Sequence, residues 1–240
     1  MLIIKNLTKH YKGSDKGVTD VNIHVEKGDL FAFIGHNGAG KTTTLKCITG
    51  IQDYDSGEVL IDGTNLRDDK LACKKKFAYI PDNPDLYEYL TGIQYLNFVA
   101  DVFEVPEEER EKRIKKYADA FEITPSLGDL ISGYSHGMKQ KLALISALVH
   151  KPKLWILDEP FVGLDPKASI VLKNIMKETC AEGGAVFFST HVLEVAEKLC
   201  NKVAIIKDGR VIASGNMSDV VKEAGSLESL FMEVLDDETN

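Results

Sequence analysis

The chain has 240 residues, of which 44% are hydrophobic and 28% charged, and a formal net charge of −8. That length and balance are ordinary for a soluble protein with a real core, arranged as one large or two modest domains. The acidic sum excludes a general nucleic-acid binder, which neutralises phosphates with clustered Lys and Arg, so any phosphate site has to be local and no nucleic acid is expected as a partner.

The first residues, MLIIKNLTKHYKG, carry no long apolar run and no small-residue cleavage site. No stretch reaches the roughly 20 apolar residues of a membrane span, and the chain is expected in the cytosol. The segments LIIKNLTKHY and VTDVNIHVEKGD alternate loosely in polarity, as does SGEVLIDG further on. They predict an antiparallel β-rich edge with turns at Lys27-Gly28-Asp29 and Asp62-Gly63. Between them lies LFAFIG, Leu30 to Gly35, whose unbroken apolar character fits a strand buried on both faces of a parallel sheet. Two later runs, LWILDE (Leu154 to Glu159) and AVFFSTH (Ala185 to His191), have the same character. Each ends in polar residues, and in an open α/β sheet ligands gather beyond the carboxyl ends of the strands.

After Leu30 to Gly35 comes Gly35-His36-Asn37-Gly38-Ala39-Gly40-Lys41-Thr42, with Thr43 beside it. The string matches G-x-x-x-x-G-K-S/T in full and stands between a strand and a helix, as the phosphate loop requires. Glycines let backbone N–H groups turn toward an anion, the new helix aims its positive end there, and Lys41 adds a full charge. The Thr42 hydroxyl can serve Mg²⁺. A nucleoside triphosphate is the expected ligand.

Residues 86–150 read as mostly helical, with Pro106 at an early position of a helix whose stripe is Ile114, Tyr117 and Phe121. Its charge run, like Lys74-Lys75-Lys76, reads as a solvated helix face. The aromatic stretch LYEYLTGIQYLNFVADVF supplies core residues, and some of them could form a docking groove. In LWILDEP, Asp158 can hold Mg²⁺ and Glu159 can polarise the water that attacks the γ-phosphate. His191 reads either as a capping or core histidine or, on the same rim, as a donor to the γ-phosphate. Beyond it come the helical VLEVAEKLC, a hairpin turning at Asp208-Gly209, and a short helix running into an acidic tail. Cys47, Cys73, Cys180 and Cys200 lie far apart without CxxC spacing and are expected as reduced thiols.

Taken together from about Leu2 to Leu235, these motifs resemble the ATP-binding subunits of ABC transporters. Gly163 to Pro166 (GLDP) resembles the D-loop of that family, His191 its switch histidine, and Tyr11 sits where the family stacks an aromatic ring on adenine. YSHGM, with Ser135, His136, Gly137 and Met138, occupies the place of the LSGGQ signature. The resemblance implies an α/β P-loop NTPase core with a mostly parallel sheet, an N-terminal antiparallel β-subdomain and an inserted helical subdomain. It divides a single cassette, residues 1–240, into a core of residues 1–85 and 151–225, a helical part of 86–150 and a tail of 226–240. It also implies ATP and Mg²⁺ as cofactors, a second cassette whose signature and Asp165 meet the nucleotide in trans, and a separate membrane permease that holds the subunit at the inner face of the cell membrane. The softer likeness of SLESLFMEVL points to small exporter-type permeases.

Two departures bear on the mechanism. His136 and Met138 replace a glycine and the glutamine of the signature; if position 136 needs φ > 0, a side chain there costs roughly 1–2 kcal/mol and the cassette closes less readily. Asp82 in YIPDNP replaces the family's glutamine and can approach Mg²⁺ as a carboxylate. Other readings are a soluble mechanical ATPase of the same superfamily acting on ribosomes or DNA, and a weakly hydrolysing regulatory module.

Overall fold

Two sheets face each other across the helix that follows the phosphate loop. A computed structural model describes residues 1–13 and 16–236, so most of the predicted acidic tail, residues 237–240, lies outside the described residues. The strands are β1 (Leu2–His10), β2 (Gly17–Val25), β3 (Leu30–Ile34), β4 (Ser56–Ile61), β5 (Thr64–Asn65), β6 (Phe77–Ile80), β7 (Leu154–Asp158), β8 (Ala185–Thr190), β9 (Lys202–Lys207) and β10 (Arg210–Asn216). The helices are α1 (Lys41–Ile48), α2 (Lys70–Lys74), α3 (Gly92–Val102), α4 (Glu107–Ala120), α5 (His136–Val149), α6 (Pro166–Ala181), α7 (Leu193–Leu199), α8 (Met217–Ala224) and α9 (Leu227–Asp236).

One sheet has the order β2-β1-β4-β5 and is antiparallel; the other runs β10-β9-β3-β8-β7-β6 and is parallel except for β10. The turn expected at Lys27-Gly28-Asp29 does not close a hairpin but carries the chain from one sheet to the other, where Gly28 N–H donates to the Gly184 carbonyl at 2.7 Å. The reason is burial. β3 is covered on both faces, so it pairs with β8 and β9 rather than with amphipathic β2. Phe31, Phe33, Ile156 and Phe187 point into the layer between the sheets with Leu45 and Ile48 of α1. Leu30, Ala32, Ile34, Leu157 and Phe188 point the other way, into a core shared with α3 to α7.

The helical stretch is set by its caps. Thr91 closes a capping box with Gln94 at the start of α3, and Ser135 accepts from Met138 N–H at 3.3 Å at the start of α5. Pro106 is the cap of α4 rather than part of it, and three glutamates follow in the first turn. Ile114 and Phe121 are buried, with Tyr117 packed at their margin. Lys76 departs from the expected solvated run: α2 ends at Lys74, and the Lys76 ammonium donates to Thr64 Oγ1 at 2.7 Å. The single C-terminal helix expected from sequence is two, α8 and α9, divided at Gly225, whose φ of 82° ends the first.

Candidate functional site

The phosphate loop leaves β3 at Gly35, where a Cβ would come within 2.5 Å of the Ile206 carbonyl oxygen on β9. Gly40 closes the loop as the cap of α1 with φ 109°, a backbone that L side chains rarely adopt. Lys41, only 6% exposed, folds back so that its ammonium donates to the carbonyls of Gly35 at 2.7 Å and His36 at 3.3 Å. The same ammonium lies 3.4 Å from Glu159 Oε1. Thr42 donates its hydroxyl proton to Asp158 Oδ2 at 2.7 Å, which ties α1 to the end of β7.

The register of β7 against β8 puts Asp158 opposite Ser189. Ser189, fully buried, donates to Asp158 Oδ1 at 2.5 Å and accepts from the Glu159 N–H at 3.0 Å. Glu159 has φ 47°, in the left-handed region. That conformation costs a non-glycine residue roughly 1–2 kcal/mol and turns the glutamate away from the line of the strand. Its Oε2 meets His191 Nδ1 at 3.0 Å, while buried Oε1 has no hydrogen-bond partner. Burial, followed by the charges of Asp158 and Glu159, pushes the Asp82 carboxyl above its ordinary value.

A cavity of about 470 Å³ opens among these groups, lined by His36, Asn37, Gly38, Gly40, Lys41, Thr42 and Thr43 of the loop and by Asp82, Asp158 and Glu159. Tyr11 stands at its edge, its hydroxyl donating to Gln52 Oε1 at 2.9 Å and lying 3.4 Å from Thr43 Oγ1. Gly35 does not line the cavity, and the Ala39 side chain is buried in the core between the sheets. Among the described residues no three His, Cys, Asp or Glu side chains assemble into a metal site. Thr42 and Asp158 still offer the hard oxygen donors that suit Mg²⁺, which commonly completes its shell with water and substrate phosphates.

A family profile described as ABC transporter matches residues 18–162. The chain belongs to the ABC transporter ATP-binding family. The ABC-type transporter ATP-binding protein EcsA of Bacillus subtilis (strain 168) is 34% identical over 238 residues, 98% of this chain and 96% of that one. The SkfA peptide export ATP-binding protein SkfE of the same organism is 34% identical over 212 residues, 88% of this chain and 87% of its own length. A solved ATP-binding subunit of an ABC transporter superposes with a TM-score of 0.93 at 37% identity, covering 98% and 99% of the two chains. A dimeric cassette, MJ0796, in a post-hydrolysis state bound to ADP and Pi, superposes at 0.80 with 25% identity, over 90% of this chain and 99% of that one. A second profile, an AAA domain described as a putative AbiEii toxin of a Type IV TA system, matches residues 129–197 alone. The chain is an ABC-type ATPase cassette with the P-loop NTPase fold.

In this cassette Ser135, His136, Gly137, Met138 and Asp165 do not line the cavity of their own chain. His136 is the first residue of α5 and is absent from the residues with positive φ. The backbone strain anticipated for a side chain in this place of the signature therefore does not arise, because the position is an ordinary helix start. Asp165 caps α6 by accepting from Ala168 N–H at 2.8 Å and pairs with the Lys141 ammonium at 2.6 Å, which holds its carboxyl below the ordinary range. Sequence reasoning missed Ser189, Gln52, Lys16 and Gly17, the last two lining the cavity. A signal existed only for Ser189, a polar residue near the end of a strand that begins with four apolar ones. The four cysteines are free thiols, and burial pushes those of Cys47 and Cys180 up to about 11.

Proposed function

We propose that this ATPase cassette binds Mg-ATP at the Lys41 loop and energises a separate membrane permease, working with a second cassette at the inner face of the membrane. The observation that carries the reading is the convergence of Lys41, Thr42, Asp158, Glu159 and His191 at the carboxyl ends of β3, β7 and β8. Loop N–H groups and the N-terminus of α1 would receive the β- and γ-phosphates, and Lys41 would leave its carbonyl partners to neutralise them. Thr42 and Asp158, with Asp82 on the same wall, would hold Mg²⁺, which neutralises charge on the phosphates. Glu159 takes the proton of the attacking water through Oε1, while the contact of Oε2 with His191 fixes the direction of the carboxylate. Tyr11 stacks on the base. No described helix is long and apolar enough to cross a membrane.

The roles of the parts follow the division into core, helical subdomain (residues 86–150) and tail. The signature residues and Asp165 act on the nucleotide of the partner cassette. Phosphate release with Mg-ATP tests the catalytic reading: Glu159→Gln should lose about 10²–10⁴-fold in rate while still binding ATP. Equal release by wild type and variant overturns it. Capture of the chain from detergent-solubilised native membranes should bring down a hydrophobic protein; ribosomal proteins in its place would favour a soluble mechanical ATPase.

A further inference from the structure

The signature and the D-loop of the same chain touch each other. A Cβ on Gly163, which has φ 79°, would fall 2.5 Å from His136 Cδ2 and 2.8 Å from its Nε2. A Cβ on Gly137 would fall 2.8 Å from the Gly163 carbonyl oxygen. The imidazole therefore lies directly on the α-carbon of Gly163, at the one place in the loop where glycine leaves room for it.

Gly163 belongs to the short turn that begins at the catalytic glutamate. Val162 N–H donates to the Glu159 carbonyl at 3.1 Å, and Leu164 N–H to that of Phe161 at 3.4 Å. The turn is supported at three points. Glu159 is held to Ser189 on β8, Phe161 packs edge-on against Phe188 with centroids 5.8 Å apart, and Gly163 lies under His136. Beyond the turn, Asp165 is bound to Lys141 one helical turn along α5 from the signature.

We propose that His136 is a positioning residue for hydrolysis: its ring presses the first turn of α5 onto Gly163 and so couples the state of the signature to the orientation of Glu159 in the same chain. The inference rests on the two-cassette reading above, since it is the partner's nucleotide that would move the signature. The residue that departs from the family pattern then has a mechanical part. When the N-terminus of α5 closes on a phosphate, the imidazole carries the displacement four residues back along the turn to the carboxylate that takes the proton. The ring acts by shape, filling space against a glycine, and not by touching the nucleotide of its own chain, whose cavity it does not line.

The test is steady-state phosphate release by wild type, His136→Gly and His136→Phe, with ATP affinity measured on each. Removing the ring should lower kcat about ten-fold and leave KM within about two-fold, because misorientation of a reacting group is felt in the chemical step and not in binding. His136→Phe, which restores a flat ring, should recover most of the loss. In a Glu159→Gln background, His136→Gly should still dimerise with ATP. The proposal is overturned if His136→Gly turns over like wild type, if KM moves as much as kcat, if the Phe variant is as slow as the Gly variant, or if the double variant no longer dimerises. A wild type that hydrolyses no ATP would instead sink the proposed function itself, a result distinguishable from all of these.

Discussion

Ser189 shows how much one hydroxyl decides at the reaction centre. It is fully buried on β8, and through its proton and its lone pair it binds both the Asp158 carboxylate and the Glu159 N–H. Asp158 keeps Thr42 as a partner and the Glu159 N–H keeps the Ser189 carbonyl at 3.2 Å, so Ser189→Ala should weaken the pair without orphaning either group. Loss of a buried hydroxyl of this kind costs about 1–3 kcal/mol, which in a chain of this size lowers Tm by about 2–4 °C per kcal/mol. Because the Asp158 carboxylate and the Glu159 backbone each lose an anchor, kcat should fall roughly ten-fold with little change in KM. Thermal melts and phosphate release on the same preparation check this, and a variant with full activity would mean that the Thr42 contact alone suffices to place Asp158.

Between α3 and α5 the coupling is a ring stack. His150, the residue that caps α5, lies flat on Phe103, the cap of α3, with centroids 3.7 Å apart and planes 5° from parallel. Burial, then the charge of Arg113, lowers the His150 pKa from 6.5 to about 4. The unfolded chain thus takes up a proton near pH 6.5 that the folded chain refuses until about pH 4, so the unfolded state binds more protons in that window. Stability present at pH 7 is therefore lost as pH falls from 6.5 to about 4, by about 3 kcal/mol. His150→Phe keeps the stack and removes the titration, so urea unfolding should match wild type in its pH dependence above pH 7 and lose about 3 kcal/mol less by pH 4. Parallel curves for the two proteins would contradict the assignment. None of this was legible in the sequence, because a histidine after an apolar helix gives no sign of the ring it will meet 47 residues away. What was legible is local: the phosphate loop and the three apolar strands. The split into an antiparallel edge and a mostly parallel sheet was expected too, but the crossing of the chain between them at Lys27-Gly28-Asp29 was not, since β3 is placed by partners such as Asn201, whose side-chain oxygen accepts from Leu30 N–H across 171 residues of chain. The site was legible wherever a motif spells out its geometry, and silent at Ser189 and at the His136 contact, where the geometry comes from strand register and helix packing.

At the scale of the whole molecule the site is one-sided. The cavity has the phosphate loop, Tyr11 and the carboxylates, but none of its lining comes from residues 135–138 or from Asp165. Those residues begin α5 and α6, and Ser135 and His136 are exposed. The N-terminus of a 14-residue helix is a favourable place for phosphate, so the exposed start of α5 suits the nucleotide of another cassette. Ser135 makes the idea testable without unfolding the helix. Its oxygen accepts from Met138 N–H, an N-cap role that aspartate fills equally well. Ser135→Asp should therefore keep α5 and leave ATP affinity of the lone subunit unchanged, since the loop at Lys41 is untouched. It would, however, set a carboxylate against a triphosphate in the closed pair. Two like charges about 4 Å apart at an effective dielectric of about 20 repel by roughly 4 kcal/mol, about a thousand-fold in the association constant. With Mg-ATP, light scattering of Glu159→Gln should report twice the 26.5 kDa mass of the chain, whereas Glu159→Gln carrying Ser135→Asp should stay at 26.5 kDa while binding ATP as tightly. If both variants double in mass alike, the start of α5 does not face the partner's phosphates.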